Sequence, residues 1–337
     1  WNHVFNSKLF SNTSFIYSEY DYGFSVEDGG SDIDLSAGIF DYNLKQDFNY
    51  YLNPNNSISF GWQGIYHRFE PYSFAFDNVV RSTSEERIAL EGGVYIANEQ
   101  KISEQLQINY GLRLSTFSNI GPFTEANLDD ENEVLSETEY KSGEFYNNYL
   151  NWEPRFSATY LLGQNQSFKF NYNRNAQYLH LLSNATSGSP TDLWIPSSPL
   201  VKPTIADQYV LGYFRNFTDN TYRFSVETYY KDLRNIVEYK DGAEVFGNAN
   251  VETELVFGKG RAYGVEFLLE KTKGDLTGWI AYTLSKSERR FDEINNGAWF
   301  SARQDRTHDI SAVGVYQLSD RVSLSANWVY TTGDAVT

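Results

Sequence analysis

The stretch Tyr149–Asn173 alternates for longer than a strand in a soluble domain has reason to. Leu150, Trp152, Pro154, Phe156, Ala158, Tyr160 and Leu162 fall on one side, and Asn151, Glu153, Arg155, Ser157 and Thr159 on the other. Successive side chains of a β-strand point to opposite faces, so this is a strand with one apolar and one polar face. Residues 163–166, GQNQ, make a turn. The chain then returns with Phe168, Phe170 and Tyr172 opposite Lys169, Asn171 and Asn173. Soluble strands run to about 5–6 residues, whereas a strand tilted across a bilayer needs about 9–11. Trp and Tyr sit near the ends of the apolar face, where a membrane barrel carries its aromatic girdles. From this hairpin alone two readings compete: barrel wall, apolar to lipid and polar to the lumen, or one hairpin of a large soluble sandwich.

The rest of the chain favours the wall. Leu106, Ile108, Tyr110, Leu112 and Leu114 alternate with Gln107, Asn109, Gly111, Arg113 and Ser115. Ile58, Phe60 and Trp62, then Tyr222, Phe224 and Val226, then Leu276, Ile280, Tyr282 and Leu284 repeat the pattern. The apolar phase shifts from Ile33–Ile39 to Phe40, Tyr42 and Leu44, which predicts a bulge near Phe40. Connections near Ser7, Pro54, Gln100, Gln164, Asp219, Gly274 and Ser319 are short. Those near Gly29, Phe76, Asp130, Ala185, Val245 and Asn295 are mostly long, and the two classes alternate. Short periplasmic turns and long external loops are the asymmetry of a bacterial outer-membrane barrel. A sandwich has no cause to sort its loops this way. The expectation is an all-β, antiparallel, up-and-down transmembrane barrel of about 14 strands.

Composition agrees. Aromatic residues make up 17% of the 337 residues, yet the mean hydropathy is −0.51. A wall with one side facing a wet lumen explains both. No apolar run of about 18 residues marks a transmembrane helix, which says nothing against strands crossing. Cys is absent, so there is neither a disulfide framework nor a thiolate metal site. Met is absent too, no signal peptide is present, and Trp1–Phe5 reads as the end of a strand. Residues 1–337 are therefore expected to be an internal barrel segment of a longer protein. The net charge of −17 argues against a nucleic-acid partner.

Several stretches together resemble the barrel of TonB-dependent receptors, in the form found in Bacteroidota. They are Trp1-Asn2-His3 with Lys8-Leu9-Phe10; Glu153-Pro154-Arg155; Asp192-Leu193-Trp194-Ile195-Pro196 with Pro203 and Gln208-Tyr209; Gly260–Glu266; Trp279 with Tyr282-Thr283-Leu284-Ser285; and Asp305-Arg306-Thr307-His308-Asp309. The resemblance implies a barrel of about 22 strands, an N-terminal plug domain and a motif that recruits TonB. Neither plug nor motif matches residues 1–337. It also implies a place in the outer membrane among its lipids, and by analogy a surface lipoprotein partner.

Candidate sites follow from chemistry at the loops. Tyr178, His180 and Trp194 put aromatic groups beside Ser and Thr hydroxyls, which suits a sugar, peptide or chelate; loop packing is the alternative. Arg303, Arg306 and His308 sit where a long loop enters a strand, and either contact a substrate or belong to an Arg–carboxylate network. Asp129, Asp130, Glu131 and Glu133 offer oxygens for Ca²⁺, but without the EF-hand spacing, so a solvated loop is the simpler reading. Glu153, Glu227 and Glu266 are lumen carboxylates balanced by Arg113, Arg155 and Arg223. No catalytic motif is present, neither H-E-x-x-H nor G-x-S-x-G. An enzyme is not expected, and no cofactor. The function expected is TonB-dependent import of a nutrient: an iron chelate, vitamin, oligosaccharide or peptide. The alternative is a plugless porin or a structural barrel subunit of a surface assembly.

Overall fold

The computed structural model describes residues 1–337 apart from 29–30, 78, 84–85, 129–133, 184–191, 244–250 and 334–337. Its strands are β1 (Asn2–Val4), β2 (Leu9–Asp28), β3 (Ser31–Asn53), β4 (Asn56–Phe76), β5 (Val79–Thr83), β6 (Arg87–Lys101) and β7 (Leu106–Ile120). There follow β8 (Phe123–Leu128), β9 (Val134–Tyr140), β10 (Phe145–Leu161), β11 (Gln166–Gln177), β12 (Leu179–Leu182), β13 (Leu193–Pro196) and β14 (Thr204–Phe217). The last are β15 (Tyr222–Tyr239), β16 (Leu255–Lys271), β17 (Leu276–Phe291), β18 (Phe300–Ser301), β19 (His308–Ser319) and β20 (Val322–Thr331). Fourteen of them pair in one path, β1-β2-β3-β4-β6-β7-β10-β11-β14-β15-β16-β17-β19-β20. Every pairing on the path is antiparallel and joins strands in chain order, as expected for an up-and-down wall.

The wall is a single layer. On β6, β7 and β10 the cross-strand row Val94–Leu114–Trp152 points outward, with Val94 and Trp152 each 55% exposed. Tyr110 and Leu112 also lie open on the outer face. A second row, Phe168–Tyr213–Val226–Phe267–Tyr282–Ile310–Tyr330, runs in register across seven strands. An apolar band of this extent has no place in water and is what lipid requires. Toward the long-loop end a row of tyrosines closes it: Tyr172, Tyr209, Tyr230 and Tyr263 are cross-strand neighbours on β11, β14, β15 and β16.

The short turns use local chemistry. Asn53 Oδ1 accepts the Asn55 N–H at 2.9 Å, and Gly163 takes a φ of +119° that a side chain would strain. At the other end the structure is more ordered than the sequence suggested. The β2–β3 ladder continues from Asp28 directly to Ser31. The polar segment 118–148 contains the β8–β9 hairpin, and 175–203 contains β12–β13. Beyond the lipid neither face of a ladder must be apolar, so alternation fades while pairing goes on. The phase shift near Phe40 appears as a register shift between Ser36 and Gly38 in the β3–β4 pairing.

Candidate functional site

The mouth of the wall is organised by the segment after β11, which turns inward rather than away. Tyr178 stacks on Phe117, ring centroids 5.0 Å apart and planes 10° apart. Phe117 is on the inward face of β7, flanked by Ser115 and Asn119, all nearly inaccessible. The Tyr178 hydroxyl lies 2.8 Å from Ser115 Oγ and accepts Asn151 Nδ2 at 2.9 Å. Ile39, Phe69, Ala89 and Phe117 form one buried cluster with Tyr178, and Trp194 packs against it. The Trp194 N–H donates to the Tyr22 hydroxyl of β2 at 3.2 Å. Farther along, Asn119 Nδ2 donates to the Ser197 carbonyl at 2.9 Å, and the Tyr149 hydroxyl to the Ser198 carbonyl at 2.7 Å. The segment is thus tied to β2, β7 and β10 at once.

His180 is buried beside it. Its Nε2 is 3.0 Å from Ser197 Oγ. Burial alone drives its pKa down from 6.5 to about 4, because a charged imidazole finds no water there. It is neutral at working pH. A second buried cluster, Leu182, Leu193, Ile195, Val201, Tyr239, Val251 and Leu255, holds the β12–β13 hairpin against the ends of β15 and β16.

Next to that hairpin is a recess of about 500 Å³, bordered by Glu238, Tyr239, Arg289, Phe300 and Arg303. Arg289 Nη1 donates to Glu238 Oε2 at 2.7 Å, and Arg303 Nη2 lies 3.5 Å from Glu238 Oε1. Arg303 Nη1 also donates to the Ser183 carbonyl at 2.6 Å, linking the recess to the mouth segment. Among the described residues the buried Tyr239 hydroxyl has no hydrogen-bond partner, and burial raises its pKa well above the ordinary phenol range. Both guanidiniums are held on the Glu238 carboxylate at the border of this recess.

The residues singled out from sequence do not share one site. Tyr178, His180 and Trp194 come together in the inward segment, and Arg303 reaches it through Ser183. Arg306 does not border the recess; its carbonyl accepts the Ser285 hydroxyl at 2.9 Å. His308 stands opposite Leu284 on the outer, lipid-facing side, where its ring stacks on Tyr282 and its Nδ1 is 3.0 Å from the Tyr282 hydroxyl. Asp129, Asp130, Glu131 and Glu133 lie outside the described residues. Among the described residues no three metal-ligating side chains gather.

Sequence reasoning passed over Arg289, Glu238 and Tyr239, and also His67. On the inward face His67 Nδ1 is 2.7 Å from Asp41 and Nε2 is 3.5 Å from Glu91. Its inward parity along β4, opposite to Phe60, Trp62 and Tyr66, is the signal that could have found His67. Below it the lumen wall is polar: Arg113 and Arg155 approach the buried Glu153 at 3.8 and 3.7 Å. Asparagines 109, 171, 173 and 175 line a recess of about 600 Å³ beside them.

Comparison with known proteins agrees with this architecture. The ferric-catecholate import receptor Fiu from K12 E. coli superposes with a TM-score of 0.61 at 14% identity, over 97% of this chain and 52% of that one. The ferric yersiniabactin uptake receptor FyuA from Yersinia pestis gives 0.62 at 11% identity, over 97% and 47%. The siderophore receptor PiuA from Acinetobacter baumannii gives 0.65 at 12% identity, over 98% and 53%. At such identities the likeness is one of fold, and the chain spans about half the length of these receptors. No curated protein matches the sequence. The profile of the family described as TonB dependent receptor-like, beta-barrel, matches residues 1–336, and the chain belongs to that family of outer-membrane barrels.

Proposed function

We propose that residues 1–337 form wall and mouth of a TonB-dependent receptor that imports a ferric chelate. Proteins of this family are receptors and transporters, not enzymes. The observation that carries the substrate class is the recess bordered by Tyr239, Arg289 and Arg303, where the two guanidiniums converge on Glu238. Iron chelates present anionic oxygens, and guanidinium forks recognise such oxygens with charge-assisted hydrogen bonds. The printed names of the structural neighbours, a ferric-catecholate import receptor and a ferric yersiniabactin uptake receptor, support the same class. Tyr178 is buried in the wall cluster and Trp194 packs against it, so neither serves readily as a sugar platform.

In this reading the chelate binds at the mouth. A plug domain, as in receptors of this type, fills the lumen against the polar face that carries Arg113, Glu153 and Arg155. Pulling by TonB shifts the plug toward an open arrangement, a population shift driven by external work. The wall itself is passive. The test is uptake of radiolabelled ferric chelates by iron-starved cells carrying the full-length protein. Arg289→Ala with Arg303→Ala is expected to raise the half-saturating concentration about tenfold or more, as loss of a central guanidinium anchor does. Unchanged half-saturation in the double variant would remove the recess from the substrate path.

A further inference from the structure

The recess on the lumen side of β6, β7, β10 and β11, about 600 Å³ in volume, is built by a change of side-chain size. Small residues sink its floor. Ala97 and Gly111 face each other on the inward side of β6 and β7, and a Cβ on Gly111 would come within 2.8 Å of the Ala97 methyl. Longer side chains stand around that floor. Tyr95 and Arg113 lie on the mouth side, Arg155 and Asn173 in the same row, and Asn109 and Asn171 on the turn side. Ile96 and Leu112, next to the floor in sequence, lie open on the outer face. The recess is therefore in the lumen at the depth of the lipid-facing band.

Its donors are not used up by the wall. Arg113 and Arg155 share one carboxylate, Glu153, at 3.8 and 3.7 Å, which is outside hydrogen-bond range. Two guanidiniums against one carboxylate leave a positive charge over. Lys45 adds nothing to it, because Asp47 pairs with that lysine at 3.0 Å. Arg155 gives Nη2 to Asn175 at 3.3 Å, while its Nη1 and Nε donate to no group among the described residues. The Arg155 side chain is 56% exposed. The side-chain amides of Asn109, Asn171 and Asn173 likewise bond to no other side chain among the described residues. An amide of this kind offers both donors and an acceptor.

The recess at the mouth has the same build. There Arg289 and Arg303 share the single carboxylate of Glu238 beside a space of about 500 Å³. A ligand whose anionic oxygens suit one recess suits the other, and both volumes are of small-ligand size.

We propose that the lumen recess is a second site for the imported anionic chelate, occupied on its way from the mouth to the periplasm. This rests on the substrate reading given above. Arg155 takes an anionic oxygen of the chelate with its free fork, and the three asparagines bond the chelate's amide, hydroxyl or carbonyl groups. The site is reached once the plug shifts, so it acts on the rate of passage and not on capture at the mouth.

The test uses iron-starved cells carrying the full-length protein, with radiolabelled ferric tricatecholate and ferric citrate as probes. Binding is read in the presence of a protonophore and uptake in its absence. Arg155→Gln is expected to bind the chelate with the half-saturation of wild type and to lose about tenfold in maximal uptake rate, the scale of one charge-assisted hydrogen bond. Arg155→Lys keeps the charge and is expected to restore most of that rate. Thr159→Ala, inward on β10 but outside the recess, is expected to change neither quantity. Unaltered binding certifies a folded variant, and Asn171→Ala, at an exposed position, covers an Arg155→Gln that is not folded, with an expected loss of about threefold in rate. Uptake at the wild-type rate by the folded variants, or a loss that Arg155→Lys shares in full, overturns the site. Entry of large antibiotics into cells carrying Arg155→Gln without chelate would assign the recess to the plug and also overturns it. Wild type that neither binds nor takes up either chelate overturns the substrate reading, and this site with it.

Discussion

His180 shows what one residue on a loop can and cannot announce. A histidine among tyrosine, tryptophan and hydroxyl residues reads as a ligand in sequence, because loops carry no parity to say which side chains are buried. In the fold it is a neutral, buried imidazole with Ser197 Oγ beside Nε2. Its pKa near 4 in the folded chain, against 6.5 when solvated, has a signed consequence. Between these values the unfolded segment binds a proton that the folded one refuses, so stability is full above about pH 6.5 and falls as the pH drops toward 4. The loss is on the order of 3 kcal/mol. The hydrogen-exchange protection factors of residues 178–182 and 193–204, corrected for the intrinsic pH dependence of exchange, are therefore expected to fall about a hundredfold between pH 7 and pH 4. His180→Gln, which cannot titrate, is expected to flatten that dependence. A wild-type profile with no acid limb would mean that the imidazole is not desolvated.

At the scale of strands the sequence was most legible where the environment differs most between the two faces. Lipid on one side and lumen on the other imprint the alternation of Leu106–Leu114 directly, and the cross-strand rows confirm its phase. Beyond the lipid that contrast is lost, and β12–β13, although it buries Leu182, Leu193 and Ile195, runs only four residues a strand, which is why β8–β9 and β12–β13 were read as plain loops although their backbones pair. Facing also governs the response to charge. Leu112 points to lipid near the middle of β7, and Asn109, three residues earlier, points to the lumen. Leu112→Arg is expected to cost about 2–4 kcal/mol of folding stability in bilayers. Asn109→Arg, the same charge on the same strand, is expected to stay within about 0.5 kcal/mol. Urea unfolding in liposomes measures both, and equal costs would mean that the faces are assigned the wrong way round.

Over the whole molecule, the inward segment acts as a roof anchored at distant points of one wall. Trp194 reaches Tyr22, 172 positions away in sequence, and Arg303 reaches Ser183, 120 positions away. No window of sequence contains both ends of such a tie, so the roof and the recess beneath it emerge only once the wall has formed. The roof also separates import from passive diffusion. Tyr178→Ala removes a stacked ring and two hydrogen bonds at the anchor, a loss of about 3–5 kcal/mol by analogy with buried aromatic truncations, and so loosens the mouth. In a receptor whose lumen is filled by a plug, loosening the roof opens no path. Full-length wild type and the Tyr178→Ala variant are then both expected to be silent in planar bilayers, while the variant binds chelate more weakly. In a plugless porin the roof is the main obstruction, and the variant conducts steadily even if wild type does not. Heat-modifiable migration on gels confirms that the variant is folded before its conductance is read. A steady open channel from either folded protein would end the import reading and leave the wall as that of a pore.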